Sequence, residues 1–300
     1  MYKNSQMKIA VFGQYYQNNT HSIVEKVVTF LEQNNIEICF YKIFYDKLIE
    51  NEVSLSEYST FDSHECLKDN FDYLISIGGD GTILRAATFV RNYNLPIIGI
   101  NAGRLGFLAT IQEENIEKLL TRVVANDFCI SKRTLVSLHA HPENIDLEDI
   151  NFALNEITVS RKDTTSMITI ETYINNEYLN SYWADGLIIS TPTGSTGYSL
   201  SCGGPVIMPT SNCFVITPIA PHNLTARPLI IPDDSELTLK IKGREEQYLV
   251  SLDSRITSVS NETTLTVKKS DFYISIIEFP EEGFLRTIRK KLLWGEDKRN

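Results

Sequence analysis

The residues best suited to chemistry lie at 78–82, Gly78-Gly79-Asp80-Gly81-Thr82, directly after the apolar run YLISI. A glycine turn at the carboxyl end of a strand lets a phosphate approach the backbone, and the amides of the following helix start point at it. Gly78, Gly79 and Thr82 are therefore candidate phosphate contacts. Asp80 is the unusual member, because a phosphate repels a carboxylate unless a cation intervenes or the carboxylate does chemistry. Two roles fit: general base toward a hydroxyl, or partner of a bound Mg²⁺. A plain helix cap is the structural alternative. The loop is neither a Walker A sequence nor a full GxGxxG.

Three further segments carry candidate binding groups. Residues 99–108 read GINAGRLGFL, with the amide of Asn101 able to donate and accept. Asn155-Glu156 sets an amide beside a carboxylate, which suits an adenine edge or ribose hydroxyls. Alone, that pair reads as surface. Residues 185–201 read DGLIISTPTGSTGYSLS, where glycines and hydroxyls suit ribose and phosphate oxygens and Tyr198 offers a stacking face for a base.

Elements to hold these segments follow from periodicity. Apolar runs at 8–12, 36–41, 73–77 and 96–100 read as buried strands. They alternate with helical spacing at 22–31, 82–92 and 116–124. That alternation predicts a parallel sheet covered by helices. Beyond about residue 128 the helices vanish. Short strands are predicted at 135–139, 153–160, 167–174, 186–190, 215–218, 237–241, 248–252, 264–267 and 273–278, a sandwich-like pattern. Helical spacing returns at 283–294. The expected organisation is an α/β nucleotide-binding domain over 1–127, an all-β, β-sandwich-like domain over 128–282, and a helix over 283–300 that is too short to be a domain and must dock on something.

Composition excludes several classes. The 300 residues carry 28 basic and 38 acidic side chains, a formal charge of −10, opposite to the balance a nucleic-acid binder needs. No run approaches the roughly 20 apolar residues of a spanning helix, and the first residues lack the pattern of a signal peptide. A cytoplasmic chain without nucleic-acid or membrane partners is expected, with its five cysteines, none in a CxxC pair, as buried free thiols. His139 and His141 lack a third ligand for zinc. Lys132-Arg133 and Arg289-Lys290-Lys291 read as solvated faces. Ser195 sits between glycines with His222 available, but the sequence is not GxSxG, which argues against a serine hydrolase.

The GGDGT loop, the GINAGRLGFL loop, the LNE step at 154–156 and the DGLIISTPTGSTGYSLSCGGP run, in this order, resemble the ATP-NAD kinase family, as does HNLTARPLIIP at 222–232. The likeness spans nearly the whole chain. It implies transfer of the γ-phosphoryl of ATP to the 2′-hydroxyl of the adenosine ribose of NAD, with Mg²⁺ accompanying ATP. It casts Asp80 as the base, with Gly81 and Arg85 near the phosphates. Asn155 and Glu156 would hold the ribose and nicotinamide side, and Asp185 would lie near the nicotinamide amide. Thr196, Gly197, Tyr198, Ser199, Leu200 and Ser201 would line the adenine and ribose pocket, and Ser166 would add a contact. The helix over 283–300 would return to pack on the first domain, and relatives assemble as homodimers or homotetramers.

Two departures stand out. The family's Asp-Gly-Gln step is Asp253-Ser254-Arg255 here, so Arg255 is a candidate for NAD phosphate or a neighbouring subunit. Gly197 replaces a common Ala. The competing readings are a lipid kinase, which shares GGDG but which the acidic balance and polar loop disfavour, and a non-catalytic nucleotide sensor, whose mark would be a lost Asp80.

Overall fold

The structure is a computed structural model that describes residues 6–16, 19–144, 147, 149–163 and 166–295. The chain divides into two compact units, one of residues 1–132 with 274–300, the other of residues 133–273.

The first unit begins with strand β1 (Lys8–Gly13), helix α1 (Thr20–Gln33), β2 (Glu37–Tyr41), α2 (Lys42–Glu50), β3 (Ser59–Phe61) and β4 (Tyr73–Gly78). Helix α3 (Asp80–Val90), β5 (Ile97–Asn101) and α4 (Ile116–Val124) follow. The strands pair parallel in the order β3-β2-β1-β4-β5. Ile9, Ala10, Val11 and Phe12 of β1 are fully buried, as a strand covered on both faces requires. Strand order reverses between β1 and β4. That reversal opens the crevice beyond their carboxyl ends where open α/β sheets bind ligands, and Gly78-Gly79-Asp80 sits there. Helix α4 buries Ile116, Leu119, Leu120 and Val123, the stripe its spacing predicts.

The second unit takes most of β6 (Cys129–His141), then β7 (Phe152–Ala153), β8 (Glu156–Arg161), β9 (Ile168–Ile174), β10 (Glu177–Ala184) and β11 (Gly186–Ser190). A single helical turn, α5 (Tyr198–Ser201), precedes β12 (Cys213–Ile219), β13 (Leu229–Pro232), β14 (Leu237–Lys242), β15 (Gln247–Leu252), β16 (Arg255–Ser260) and β17 (Thr264–Glu278). One antiparallel sheet runs β13-β12-β11-β8-β15-β16, and a second set runs β10-β9-β14-β17. Ile157, Leu187, Ile216 and Tyr248 of the first meet Ile170, Leu239 and Val267 of the second in one core. This is the sandwich-like arrangement the strand pattern predicts. The chain ends with α6 (Phe284–Leu292), which belongs to the first unit together with the last turn of β17, where Ile276 pairs parallel with Ile97.

Several elements differ from the periodicity. Helix α2 and strands β3, β10, β13 and β16 were not expected. The predicted strands at 264–267 and 273–278 are one strand, β17. The run at 153–160 is broken at Leu154-Asn155 into β7 and β8. The unit boundaries fall inside β6 and β17, so no loop composition marked them. Only Cys39 of the five free thiols is buried; Cys66 and Cys129 are exposed. Arg133, expected in solvent, is buried with its Nη1 3.4 Å from Thr193 Oγ1.

Within the sheet of β11, a Cβ on Gly186 would lie 2.4 Å from the Val159 carbonyl oxygen. Gly186→Ala must push two paired strands apart. It is expected to lower the unfolding free energy by about 1–3 kcal/mol, measured by urea denaturation.

Candidate functional site

The first cluster is built at the end of β4. Gly78 takes a φ of +156°, and a Cβ there would lie 2.2 Å from Thr82 Oγ1, so only glycine makes this turn. Gly79 caps α3, and a Cβ on Gly79 or Gly81 would meet nothing within 4 Å. These two glycines border open space at a helix start, where the first amides have no intrahelical acceptor. Thr82 is buried beneath them.

Asp80, the first residue of α3, turns its carboxylate onto the loop after β5. Phe107 N–H donates to Oδ2 at 2.8 Å, and Leu108 N–H and Ala109 N–H donate to Oδ1 at 2.9 and 3.0 Å. A Cβ on Gly106 would sit 1.9 Å from Oδ1, which explains the glycine there. Asn101 shapes the same loop: its Nδ2 donates to the Arg104 and Ala109 carbonyls, and its Oδ1 accepts from Gly103 N–H. Its amide is therefore fully engaged within the loop, rather than free for phosphate as expected. Arg85 is exposed, its guanidinium 5.8 Å from the Phe12 ring centroid. Lys291 of α6, read from sequence as solvated, places Nζ 4.0 Å from Asp80 Oδ2 and 4.9 Å from the centre of the Phe107 ring.

The second cluster lies at the break between β7 and β8. Asn155 and Glu156 are not the surface pair that the dipeptide alone suggests. Glu156 is buried, and Asn155 Oδ1 and Glu156 Oε2 are buried without a hydrogen-bond partner. The turn at 194–197 lies directly against them. A Cβ on Gly194 would be 2.1 Å from the Asn155 carbonyl oxygen, and one on Gly197 would be 3.1 Å from Glu156 Oε2. The Ala common in relatives would thus press on Glu156.

Most hydroxyls of the polar run serve the turn itself. Thr191 Oγ1 donates to Leu154 O and accepts from Gly194 N–H. Ser195 Oγ donates to Pro192 O and accepts from Ile207 N–H, so it is no nucleophile. Ser199 is buried and shares a hydrogen bond with Thr217. What the run leaves outward is the Tyr198 ring, 46% exposed, with Ser201 exposed and Thr196, Gly197 and Leu200 half-buried. The His222 ring lies against that of Trp183, 4.2 Å between ring centres and tilted by 42°.

Of the other predicted residues, Asp185 and Arg255 have definite partners. Asp185 Oδ2 pairs with Arg161 Nη2 at 3.1 Å. Ser166 lies half-buried in the loop before β9. Arg255 donates from Nη1 to Ile150 O at 2.5 Å and from Nη2 to Phe152 O. Its guanidinium therefore grips the segment before β8 and is already engaged, which leaves it unsuited to the phosphate role considered for it.

Asp253, quoted in the sequence only as a motif position, proves central. Its carboxylate accepts N–H bonds from Leu154, Asn155 and Glu156 at 3.0, 2.8 and 3.2 Å. Burial pushes both carboxyls up, Glu156 to about 8, with the Asp253 charge adding to it and the Tyr198 N–H opposing. Three amides and Arg255 stabilise the Asp253 anion. Glu156 has no comparable set, so it is the member that carries the proton.

Comparison with known proteins adds a family. A family model described as the ATP-NAD kinase N-terminal domain matches residues 9–128, and one described as the ATP-NAD kinase C-terminal domain matches residues 154–279. An NAD kinase of Flavobacterium psychrophilum is 65% identical over 294 residues, covering 98% of this chain and 100% of that protein. One of Bacteroides fragilis is 41% identical over 297 residues, again covering 98% and 100%. Among solved structures, a yeast NADH kinase complexed with NADH has a TM-score of 0.86 at 22% identity, covering 99% of this chain and 90% of that one. An NAD kinase from Archaeoglobus fulgidus in complex with ATP has a TM-score of 0.73 at 27% identity, covering 95% and 97%.

The Glu156 proton gives a testable sign. Its folded pKa, about 8, lies above the ordinary 4.5, so between those values the folded chain holds a proton that the unfolded chain releases. This group's contribution to stability is complete below the lower value and is lost as pH rises through the upper one. The slope is up to about 1.4 kcal/mol per pH unit. Denaturant unfolding at about pH 5, 6.5 and 8 should show this fall, and Glu156→Gln should flatten it.

Proposed function

The chain belongs to the ATP-NAD kinase family, whose members are phosphotransferases acting on an alcohol, and we propose that it moves the γ-phosphoryl of ATP to the 2′-hydroxyl of the adenosine ribose of NAD, giving NADP. The observation that carries the residue assignment is Asp80: a carboxylate fixed by three backbone amides at the mouth of a glycine turn, with open space beside Gly79 and Gly81.

In this reading Asp80 accepts the proton of the 2′-hydroxyl as its oxygen attacks phosphorus. Its orientation is fixed before substrate arrives, so little reorganisation is needed. The amides around Gly79 and Gly81 receive phosphate oxygens, with Arg85 at hand on the exposed face of α3. Asn155 and Glu156 receive the ribose and nicotinamide side of NAD. Their buried, partnerless Oδ1 and Oε2 are groups for which a ligand hydroxyl or amide would provide the missing partner. A protonated Glu156 can donate to such a ligand and not only accept. Tyr198 offers its exposed face to the adenine, Thr196, Gly197, Leu200 and Ser201 border it, and Asp185 and Ser166 add outer contacts. Ser199 and Asn101 hold the loops in shape, while the buried Thr82 Oγ1 has no hydrogen-bond partner. Asp253 and Arg255 support the Asn155-Glu156 step from behind.

The metal expected with ATP is Mg²⁺, which neutralises phosphate charge as the phosphoryl group moves. Among the described residues no three His, Cys, Asp or Glu side chains cluster as a cage. A single carboxylate, Asp80, at a phosphate loop suits an ion carried on the triphosphate. No helix among the described residues is long and apolar enough to cross a membrane. The location proposed here is cytoplasmic. A homodimer or homotetramer is the proposed assembly; exposed Leu229 and Ile230 on the edge strand β13 support it.

Purified protein given ATP, Mg²⁺ and NAD is expected to form NADP, and excess EDTA to stop it. Asp80→Asn should lower kcat by roughly 10²–10⁴-fold, the usual worth of a positioned base. NADP formation at an undiminished rate in that variant, with its fold intact, would remove Asp80 from the mechanism.

A further inference from the structure

We propose that Lys291, on the last helix of the chain, is a catalytic residue whose ammonium group neutralises the phosphoryl group in transit beside Asp80; this rests on the phosphotransfer reading above. Lys291 Nζ lies 4.0 Å from Asp80 Oδ2. That is beyond the ~2.7–2.9 Å of a charge-assisted hydrogen bond. Oδ2 already accepts from Phe107 N–H at 2.8 Å, and Oδ1 accepts two further amides. The ammonium is thus held beside the carboxylate without being bonded to it, and its donors remain available on a side chain 37% exposed.

Two contacts set this position. Nζ stands 4.9 Å from the centre of the Phe107 ring, and the Phe107 and Phe284 rings are 6.0 Å apart. Helix α6 therefore docks on the residue whose own amide orients the base. Other cations of the first unit have different engagements. Arg122 pairs with Asp127 and Glu281, and Arg286 donates to the Glu281 carbonyl and pairs with Glu282. Arg85 lies over the Phe12 ring.

The chemistry asks for such a group. The 2′-oxygen forms a bond to γ-phosphorus, the bond from γ-phosphorus to the β,γ-bridging oxygen breaks, the hydroxyl proton goes to Asp80 and ADP leaves. Lys291 gains and loses no proton. Charge in the transition state spreads over the three equatorial oxygens, and catalysis is mostly positioning and neutralisation. The attacked hydroxyl must come within ~2.6–3.2 Å of Asp80, and phosphorus lies about 3–3.5 Å beyond the attacking oxygen. An ammonium 4.0 Å from the same carboxylate, carried on a flexible four-carbon stem, spans that gap.

The test compares Lys291→Met, Lys291→Arg and Phe284→Ala with the full-length wild type, measuring kcat, KM for ATP and NAD, and Tm. Lys291→Met keeps the stem against Phe107 and removes the charge. It is expected to lower kcat about 10²-fold, with KM for NAD within about twofold of wild type. Lys291→Arg should recover most of that loss. Phe284→Ala loosens the helix while keeping the ammonium, and should cost far less kcat than Lys291→Met. The proposal is overturned if Lys291→Met keeps kcat within about threefold of wild type. It is equally overturned if Phe284→Ala matches its loss, since Lys291 would then only dock the helix. Absence of NADP formation by the wild type would instead overturn the phosphotransfer reading itself.

Discussion

A carboxylate withdrawn from water must be met by donors, and both clusters of this chain are organised around one that is met by backbone. Asp80 accepts N–H from residues 107–109, and Asp253 accepts N–H from residues 154–156. Hydrogen bonds to a charged group contribute about 1.5–3 kcal/mol each, enough to offset the several kcal/mol lost when an ion is desolvated. Three consecutive amides can converge on one carboxyl group only if the chain bends around it. Each aspartate therefore dictates the path of a distant segment. In the first unit the bent segment orients the carboxylate proposed as the base. In the second it carries the two side chains with unmet hydrogen-bonding capacity.

The two devices differ in what they leave open. In the proposed reaction Asp80 is both anchor and reactive group, and the open space beside Gly79 and Gly81 leaves one direction free. Asp253 is an anchor only. Burial raises the Glu156 pKa and the Asp253 charge adds to it, while the carboxyl with three amides retains the anion. The side chain that bends the Leu154–Glu156 step thus adds to the burial that makes Glu156 a donor as well as an acceptor.

This explains what was legible in the sequence. The first cluster was readable because its signal is local: strand, glycine turn and helix start are contiguous, and parallel strands are apolar runs. Asn155-Glu156 looked like surface because its burial comes from partners far along the chain, the turn at Gly194–Gly197 and Asp253. Lys291 looked solvated for the same reason, since helical spacing shows the stripe a helix buries but not what its flank meets. The hydroxyls of the Thr191–Ser201 run were assigned to ligand because composition cannot distinguish a hydroxyl that closes a turn from one that faces outward; Thr191, Ser195 and Ser199 are of the first kind. Strands β10, β13 and β16 escaped because their residues are polar or only partly buried at sheet edges, where alternation fades.

The charge balance also acquires a physical meaning. A chain of net charge −10 is an unpromising host for two polyanions if charge is treated as a single sum. At physiological salt, however, exposed charges more than about 8 Å apart scarcely sense one another. What a phosphate meets is the field within the first few ångströms: two open glycines at a helix start, a carboxylate already held by amides, and an ammonium 4.0 Å from that carboxylate. The acidic excess lies elsewhere, in places such as Glu25, Glu113, Glu114 and Glu117 around the groove between α1 and α4, where it favours solubility. Net charge is therefore a property of the whole surface, while the proposed phosphate contacts depend on the local field of the glycine loop and of Lys291.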